Sequence, residues 1–166
     1  MRELYLDLEW FIGGDIFLIG YCFEKGKVNQ LHHGTLTKAK FLAVIRKLYP
    51  GAKIYFYGPD IGVIEKYFHI DVRNQFCCIN LLTVFRKTMP KLKSYKLADI
   101  EKKFGVGRLR AEYKKNIFAI FNDWKSYKWR KFVLQYNYED VENLRLLKRL
   151  VCKKYKLRLS AKDAMK

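Results

Sequence analysis

An alternating stretch near the N-terminus, residues 4–9, reads Leu4-Tyr5-Leu6-Asp7-Leu8-Glu9. Because successive side chains of a β-strand leave opposite faces, a strand here puts the three leucines on one face and both acids on the other. Two carboxylates on one face of an apolar strand cost free energy unless they are paired or bind a cation such as Mg²⁺. The pattern therefore predicts a strand over 3–11 with a metal-binding acid pair; the alternative is an edge strand with one solvated face.

The segments that follow predict a sheet built around this strand. Gly13-Gly14 is typical of a hairpin turn, because glycine tolerates positive φ, and Thr37 is a candidate N-cap for a helix that runs to about Leu48. Further strands are predicted at 16–23, 27–33, 53–57 and 75–79. Further helices are predicted near 60–67, 80–87, 95–104, 125–134 and 137–155, with a basic loop from Gly105 to Lys115. This order predicts an α/β fold, a mixed sheet with flanking helices, over residues 1–155. The basic C-terminal tail, 156–166, is expected to be frayed.

The charge is strongly positive and unevenly distributed. The net charge is +18. Residues 1–85 carry 10 Lys/Arg against 8 Asp/Glu, whereas residues 86–166 carry 24 against 8. Such asymmetry favours a polyanionic partner, and nucleic acid is the leading candidate. An anionic membrane surface and a merely lysine-rich soluble surface are the alternatives.

Composition excludes several other classes. Half of the residues are hydrophobic, so the chain is not disordered. The longest stretch without a charge, 74–85, is shorter than the roughly 20 residues of a membrane span, so no membrane partner is expected. No two of the cysteines form a C-x-x-C pair, which argues against a structural zinc site and favours a cytoplasmic protein with reduced thiols. The cysteines are Cys22, Cys77, Cys78 and Cys152.

Two further acids complete a candidate site. Tyr136 and Asp140 lie four residues apart on a predicted helix, hence on one face, and the apolar residues that follow turn that face toward the sheet. The alternative is a surface acid in the first turn of a helix. Asp60 follows a strand and opens a helix, where it is either a site residue or an ordinary N-cap.

These residues resemble three exonuclease motifs of the DEDD superfamily. The motifs are Leu6-Asp7-Leu8-Glu9, Tyr57-Gly58-Pro59-Asp60 and Tyr136-Asn137-Tyr138-Glu139-Asp140. The D-x-E start and the Y-x-x-x-D end are similar to the tyrosine-type subclass, and residues 95–105 resemble the YprB-like ribonuclease-H-like branch. The chain departs from the pattern at Tyr55, where the second motif usually carries an asparagine.

The resemblance implies a two-metal 3′–5′ exonuclease that releases nucleoside monophosphates. Asp7 would bridge two Mg²⁺ or Mn²⁺ ions, Glu9 and Asp140 would hold the first ion, and Asp60 would hold the second. Tyr136 would orient the attacking water. Two metals in such a site activate water and stabilise the leaving oxygen.

Residues 86–166, the basic half of the chain, contain candidate contacts to the phosphates of a single strand of DNA or RNA. They are Lys93, Lys96, Arg108, Arg110, Lys114, Lys115, Lys128 and Arg130. Aromatic residues between them are candidates for base stacking, although Trp124 could equally belong to the core. Two other functions remain open. One is a structure-selective endonuclease such as a junction resolvase, and the other is a non-catalytic nucleic-acid-binding protein. The sequence leaves the oligomeric state open.

Overall fold

The computed structural model describes residues 3–160 and Asp163; of Lys114 and Lys115 it describes the backbone alone. The strands are β1 (Glu3–Trp10), β2 (Ile16–Phe23), β3 (Asn29–His32), β4 (Lys53–Phe56) and β5 (Cys77–Asn80). The helices are α1 (Lys38–Ile45), α2 (Asp60–Phe68), α3 (Leu81–Thr88), α4 (Leu97–Lys103), α5 (Ile117–Lys125) and α6 (Arg130–Tyr155). Short 3₁₀ turns lie at His33–Thr35 and Glu112–Lys115.

The five strands form one mixed sheet in the order β3-β2-β1-β4-β5. β1 pairs antiparallel with β2, and β2 pairs antiparallel with β3. β4 pairs parallel with β1 and with β5. The α/β prediction of a mixed sheet with flanking helices is confirmed. The edge-strand alternative for residues 3–11 is wrong, because β1 has a partner strand on each side.

The alternation along β1 divides the core between the two faces of the sheet. Leu4, Leu6 and Leu8 pack with α1 and α2 on one face, whereas Tyr5 packs on the other face against α3, α4 and α6. Asp7 and Glu9 share the face of Tyr5, as the period of two requires. The acid pair therefore lies under the long helix α6.

The structure corrects the predicted helices between 116 and 155. The two helices predicted at 125–134 and 137–155 are one helix, α6, because no glycine or proline between them breaks the pattern. Helix α5 was not predicted. Asn116 caps it by accepting a hydrogen bond from the Phe118 N–H at 3.0 Å, and Ile120 and Trp124 bury its inner face.

A glycine sets the distance between α6 and the sheet. Gly20 lies opposite Asp7 in β2. A Cβ on Gly20 would lie 2.3 Å from Asn137 Oδ1 and 2.8 Å from Val141 Cγ2 of α6. The missing side chain therefore lets α6 pack directly against the β1–β2 pair, which brings Asp140 to the acids of β1.

Beyond α6, the described residues of the predicted tail continue along the domain. Leu159 is buried in the same core cluster as Tyr5, and its carbonyl oxygen accepts a hydrogen bond from Lys53 Nζ at 2.8 Å. In the described part of the chain, no helix is long and apolar enough to cross a membrane.

Candidate active site

Three of the predicted site acids converge at the second half of β1. One carboxylate oxygen from each of Asp7, Glu9 and Asp140 lies within 4.8 Å of the others. Asp7 and Glu9 come from one strand face, and Asp140 comes from the helix that covers it. The convergence that sequence spacing predicted for these three residues is therefore present in the fold.

Helix α6 positions this cluster through two neighbours of Asp140. Tyr136 lies one turn before Asp140 and lines the same cavity. Asn137 Nδ2 donates hydrogen bonds to Asp7 Oδ2 at 2.9 Å and to the Asp7 carbonyl oxygen at 3.3 Å. Asn137 thereby fixes the Asp7 carboxylate, a role that sequence reasoning did not assign, although the residue lies within the third motif.

Asp60 reaches the same cavity from the turn between β4 and α2. Gly58 adopts φ of +88°, a conformation that favours glycine, and Asn80 holds it through hydrogen bonds of 3.1 and 2.8 Å to both its backbone groups. Asp60 is the first residue of α2 and Pro59 is the N-cap, so Asp60 is not the cap that the alternative required. Its side chain is 2% exposed, and among the described residues no group bonds to Oδ2.

Glu65, the other acid of α2, is engaged elsewhere. Its carboxylate accepts hydrogen bonds from the backbone N–H groups of Val72 and Arg73, both at 3.0 Å, and pairs with the Arg73 guanidinium. Glu65 therefore ties the end of α2 to the loop that follows it, and it takes no part in lining the acid cavity.

Burial raises the pKa of all four acids, and repulsion from neighbouring carboxylates adds to it. For Asp7 and Glu9 burial is the larger cause, followed by the charges of Asp140 and Asp60. Burial also raises the pKa of Asp60. It raises the pKa of Asp140 to about 6, against the opposing charge of Arg108. A bound cation would stabilise the ionised forms of these carboxylates and offset their mutual repulsion.

Arg108 lies inside the site, with its side chain only 3% exposed. It donates to Asp140 and, through two nitrogens, to Glu101. Asn143 of α6 donates to Glu101 at 3.0 Å, so the ion pairs are held from both sides. Glu139 accepts hydrogen bonds from the backbone N–H groups of Leu109 and Arg110, and so fixes the loop that carries Arg108. Arg108 was predicted as one of several phosphate contacts, and its link to Asp140 was not foreseen.

The acids line a cavity of about 420 Å³. Aromatic and aliphatic side chains complete its wall: Leu8, Trp10, Tyr57, Tyr113, Ile117, Ile120 and Tyr136. The donor set is made entirely of carboxylate oxygens, which is the set that Mg²⁺ and Mn²⁺ prefer. The close approach of three acids, and the Asp60 oxygen that has no hydrogen-bond partner among the described residues, fit a divalent cation.

The other predicted nucleic-acid contacts lie at several places on the surface. Lys93, Lys96 and Lys128 are exposed, and Arg130 is half-buried against Trp124. Arg110 stacks on Phe132 and pairs with Glu112 at 3.1 Å. The side chains of Lys114 and Lys115 lie outside the described part of the structure. Trp124 and Tyr113 are buried in the core and are not free for stacking.

Comparison with known proteins agrees with this architecture. A sequence model of the RNase H superfamily matches residues 4–152. The comparison with curated proteins gave no significant match. Among solved structures, a family B DNA polymerase from the hyperthermophilic archaeon Pyrobaculum calidifontis superposes with a TM-score of 0.71 at 14% sequence identity. That match covers 90% of this chain and 24% of the polymerase chain, so this chain spans about a quarter of its length. At this identity the likeness is one of fold. Because the family match includes every strand and almost all of α6, the chain belongs to the RNase H superfamily.

Proposed function

We propose that the protein is a metal-dependent 3′–5′ exonuclease that hydrolyses phosphodiester bonds of single-stranded DNA or RNA. The observation that carries the proposal is the acid cluster, in which oxygens of Asp7, Glu9 and Asp140 lie within 4.8 Å of one another. It occurs in a chain of the RNase H superfamily, whose fold supports a nuclease. The tyrosine-type order of the three motifs supports the 3′–5′ direction.

The four acids would hold two Mg²⁺ or Mn²⁺ ions. Asp7 would contact both ions, Glu9 and Asp140 the first, and Asp60 the second. When bound, such ions activate a water molecule and stabilise the leaving oxygen of the phosphodiester. The chain itself supplies the orientation of the ligands: Asn137 fixes Asp7, and Arg108 fixes one oxygen of Asp140.

Tyr136 would orient the attacking water as a hydrogen-bond donor. Burial and the charges of Asp140, Glu9 and Asp7 raise the pKa of Tyr136, so its hydroxyl keeps its proton at neutral pH. A protonated tyrosine beside the acids can position water but cannot accept its proton, so activation of the water would depend on the ions that the carboxylates would hold.

The placement of the acids on α2 favours this proposal over a junction resolvase. A resolvase-like site often uses a glutamate as its second acid, and Glu65 is the glutamate that α2 offers. Glu65 is bound to the Val72–Arg73 backbone, whereas Asp60 lines the acid cavity. The geometry therefore supports the exonuclease set of acids.

The test uses 5′-end-labelled single strands, duplexes and four-way junctions, as DNA and as RNA, incubated with Mn²⁺. The expected result is a ladder of labelled products that shortens from the 3′ end of the single strands. A single internal cut in the junction would favour the resolvase. Intact substrate that is nevertheless bound by the protein would favour a non-catalytic role.

A further inference from the structure

A second surface, separate from the acid cavity, has the chemistry of a nucleic-acid site. The end of β3 and the turn between α5 and α6 enclose an open groove of about 670 Å³. We name it the turn patch and define it by six residues: His32, His33, Tyr127, Lys128, Arg130 and Lys131.

The turn patch is uniformly basic because of how the fold joins two segments. Residues 25–59 contain no Asp or Glu, and neither do residues 124–138. Lys128 and Lys131 are exposed, and among the described residues no carboxylate pairs with either. Lys128 Nζ lies 4.7 Å from the centroid of the Trp129 ring and Lys131 Nζ 5.2 Å from that of Phe132, so both charges stay unneutralised at the surface and can attract phosphates.

Exposed aromatic rings accompany these charges. Tyr127 is 92% exposed, and Trp129 beside it is 42% exposed. Large rings held at the surface among lysines offer stacking faces to unpaired bases. The exposed His33 ring packs against the buried Trp124, with ring centroids 5.1 Å apart, and this contact anchors one side of the patch to the core.

The turn patch lies on the same face of the sheet as the acids. Glu9 pairs with Leu18, and Leu18 pairs with His32, so the three side chains share one face. Two strand spacings separate Glu9 from His32, which amounts to roughly 10 Å. Helix α5 runs between the two sites: Ile117 and Ile120 line the acid cavity, and Trp124 at its other end contacts His33.

Shared hydrogen bonds hold the two sites in fixed relation. Gln30 of β3 donates to the Leu134 carbonyl oxygen at 2.8 Å and to Asn137 Oδ1 at 3.0 Å. Asn137 in turn donates to Asp7. The strand that carries His32 and the acid that would bridge the metals are therefore tied to the same residue of α6.

We propose that the turn patch binds the single-stranded substrate several nucleotides away from the bond that is cleaved. Lys128 and Lys131 contact phosphates there, and a base stacks on Tyr127. This assignment rests on the proposed nuclease function for its substrate. A nucleic acid fits better than a membrane surface, because the patch is an open groove in which lysines stand beside an exposed aromatic ring.

The test measures binding of fluorescent oligonucleotides by anisotropy, in an Asp7→Asn background that prevents cleavage. Probes of about 2 and about 16 nucleotides distinguish the acid site alone from the acid site plus the patch. Lys128→Gln/Lys131→Gln should reduce the log–log salt slope for the long probe by about 1.4, at about 0.7 per phosphate contact. Tyr127→Ala should weaken the long probe about five- to hundredfold. The short probe should change less than about twofold, since a dinucleotide is too short to span the roughly 10 Å between the acids and the patch.

The matched control is Lys66→Gln/Lys153→Gln, which removes two exposed charges outside the patch. An unchanged slope and affinity in the patch variants would overturn the proposal and leave the nuclease assignment standing. Loss of binding to phosphatidylserine vesicles, with oligonucleotide binding unchanged, would overturn it in favour of a membrane contact. Because the readout is binding without cleavage, a failed nuclease assay would not by itself produce either result.

Discussion

Asp60 and Glu65 lie five residues apart on α2 in different surroundings, and this contrast gives the first prediction. Asp60→Asn should reduce Mn²⁺-dependent cleavage at least about 100-fold, the size of effect seen when one charge-stabilising group is removed. The fold should persist without metal, because the substitution removes one of four repelling charges. Steady-state rates and circular dichroism measure the two effects.

Glu65→Gln is the matched control on the same helix. It weakens the bonds to Val72 and Arg73 and should cost about 1 kcal/mol of stability with cleavage retained. An active Asp60→Asn protein together with an inactive Glu65→Gln protein would contradict the exonuclease site and favour the resolvase.

A second residue-scale prediction concerns Tyr136. Tyr136→Phe removes the hydroxyl but keeps the ring, which meets Tyr113 edge to face and lies beneath the Arg108 guanidinium. We expect kcat to fall about tenfold or more, since the water loses a positioning donor. Calorimetric Mn²⁺ binding should stay within about twofold, because tyrosine is not among the proposed ligands. A normal kcat would exclude the orienting role.

Sequence spacing was sufficient to predict the acids but not their neighbours. The period of two on β1 and the i, i+4 spacing on α6 place Asp7, Glu9 and Asp140 on facing surfaces. The burial of Arg108 against Asp140 depends on a contact across 32 residues. No local pattern distinguishes it from the exposed lysines around it, which is why it was grouped with them.

At the scale of elements, the packing of α6 on β2 is the feature that assembles the site. Gly20→Ala would place a Cβ 2.3 Å from Asn137 Oδ1. Either α6 moves outward or Asn137 releases Asp7. We expect a loss of about 1–3 kcal/mol in unfolding free energy, as for other overpacked cores. Mn²⁺ affinity should fall in the same protein.

Gly34→Ala provides the control, because nothing lies within 4 Å of its Cβ position. That variant should stay within about 0.5 kcal/mol of wild type. If Gly20→Ala retains wild-type stability and Mn²⁺ affinity, close packing of α6 does not organise the acids.

The elements themselves were predictable where caps and periodicity were strong. Thr37 caps α1 as predicted, with a hydrogen bond from the Lys40 N–H at 3.2 Å. Helix α5 had signals too, since Asn116 precedes apolar residues at helical spacing. They were obscured by the basic loop before them. The sequence pattern predicts a helix end at residue 134, but no helix-breaking residue lies there. Packing against the sheet keeps α6 continuous through this position.

For the whole molecule, the buried acids predict an unusual dependence of stability on pH. The pKa of Asp140 is raised in the folded protein to about 6 from an ordinary value of 3.8, so the folded state binds more protons between these values. Its contribution to stability is full below about pH 4 and is lost as the pH rises through 6. Asp7, Glu9 and Asp60 act in the same direction. Burial lowers the pKa of His32 from 6.5, so this one group makes stability rise with pH, against the four carboxyl groups that make it fall.

Thermal unfolding in chelator should therefore show a Tm that falls from pH 5 to pH 8. Added Mn²⁺ should raise Tm, and the increase should be larger at pH 8, because metal and protons compete for the carboxylates. A Tm in chelator that rises over this range would contradict the buried, mutually repelling cluster.

The charge asymmetry along the chain predicted a polyanionic partner but could not place it. The turn patch contains residues from the segment 25–59, in the N-terminal half of the chain that has little net charge. Its other residues come from the segment 124–138. Only the pairing of β3 with β2 and the docking of α6 bring these segments together. The composition shows that the net charge is positive, and the fold shows where the basic side chains lie together.

The central claim is that Asp7 is the common ligand of a divalent-metal site, and calorimetric titration with Mn²⁺ tests it most directly. Wild-type protein should bind about two ions, and Asp7→Asn should weaken binding at least about 100-fold, beyond the roughly 10–100-fold that removal of an outer hydrogen-bond partner costs. Glu65→Gln should titrate like wild type. Equal Mn²⁺ affinity in the wild-type and Asp7→Asn proteins would contradict the account.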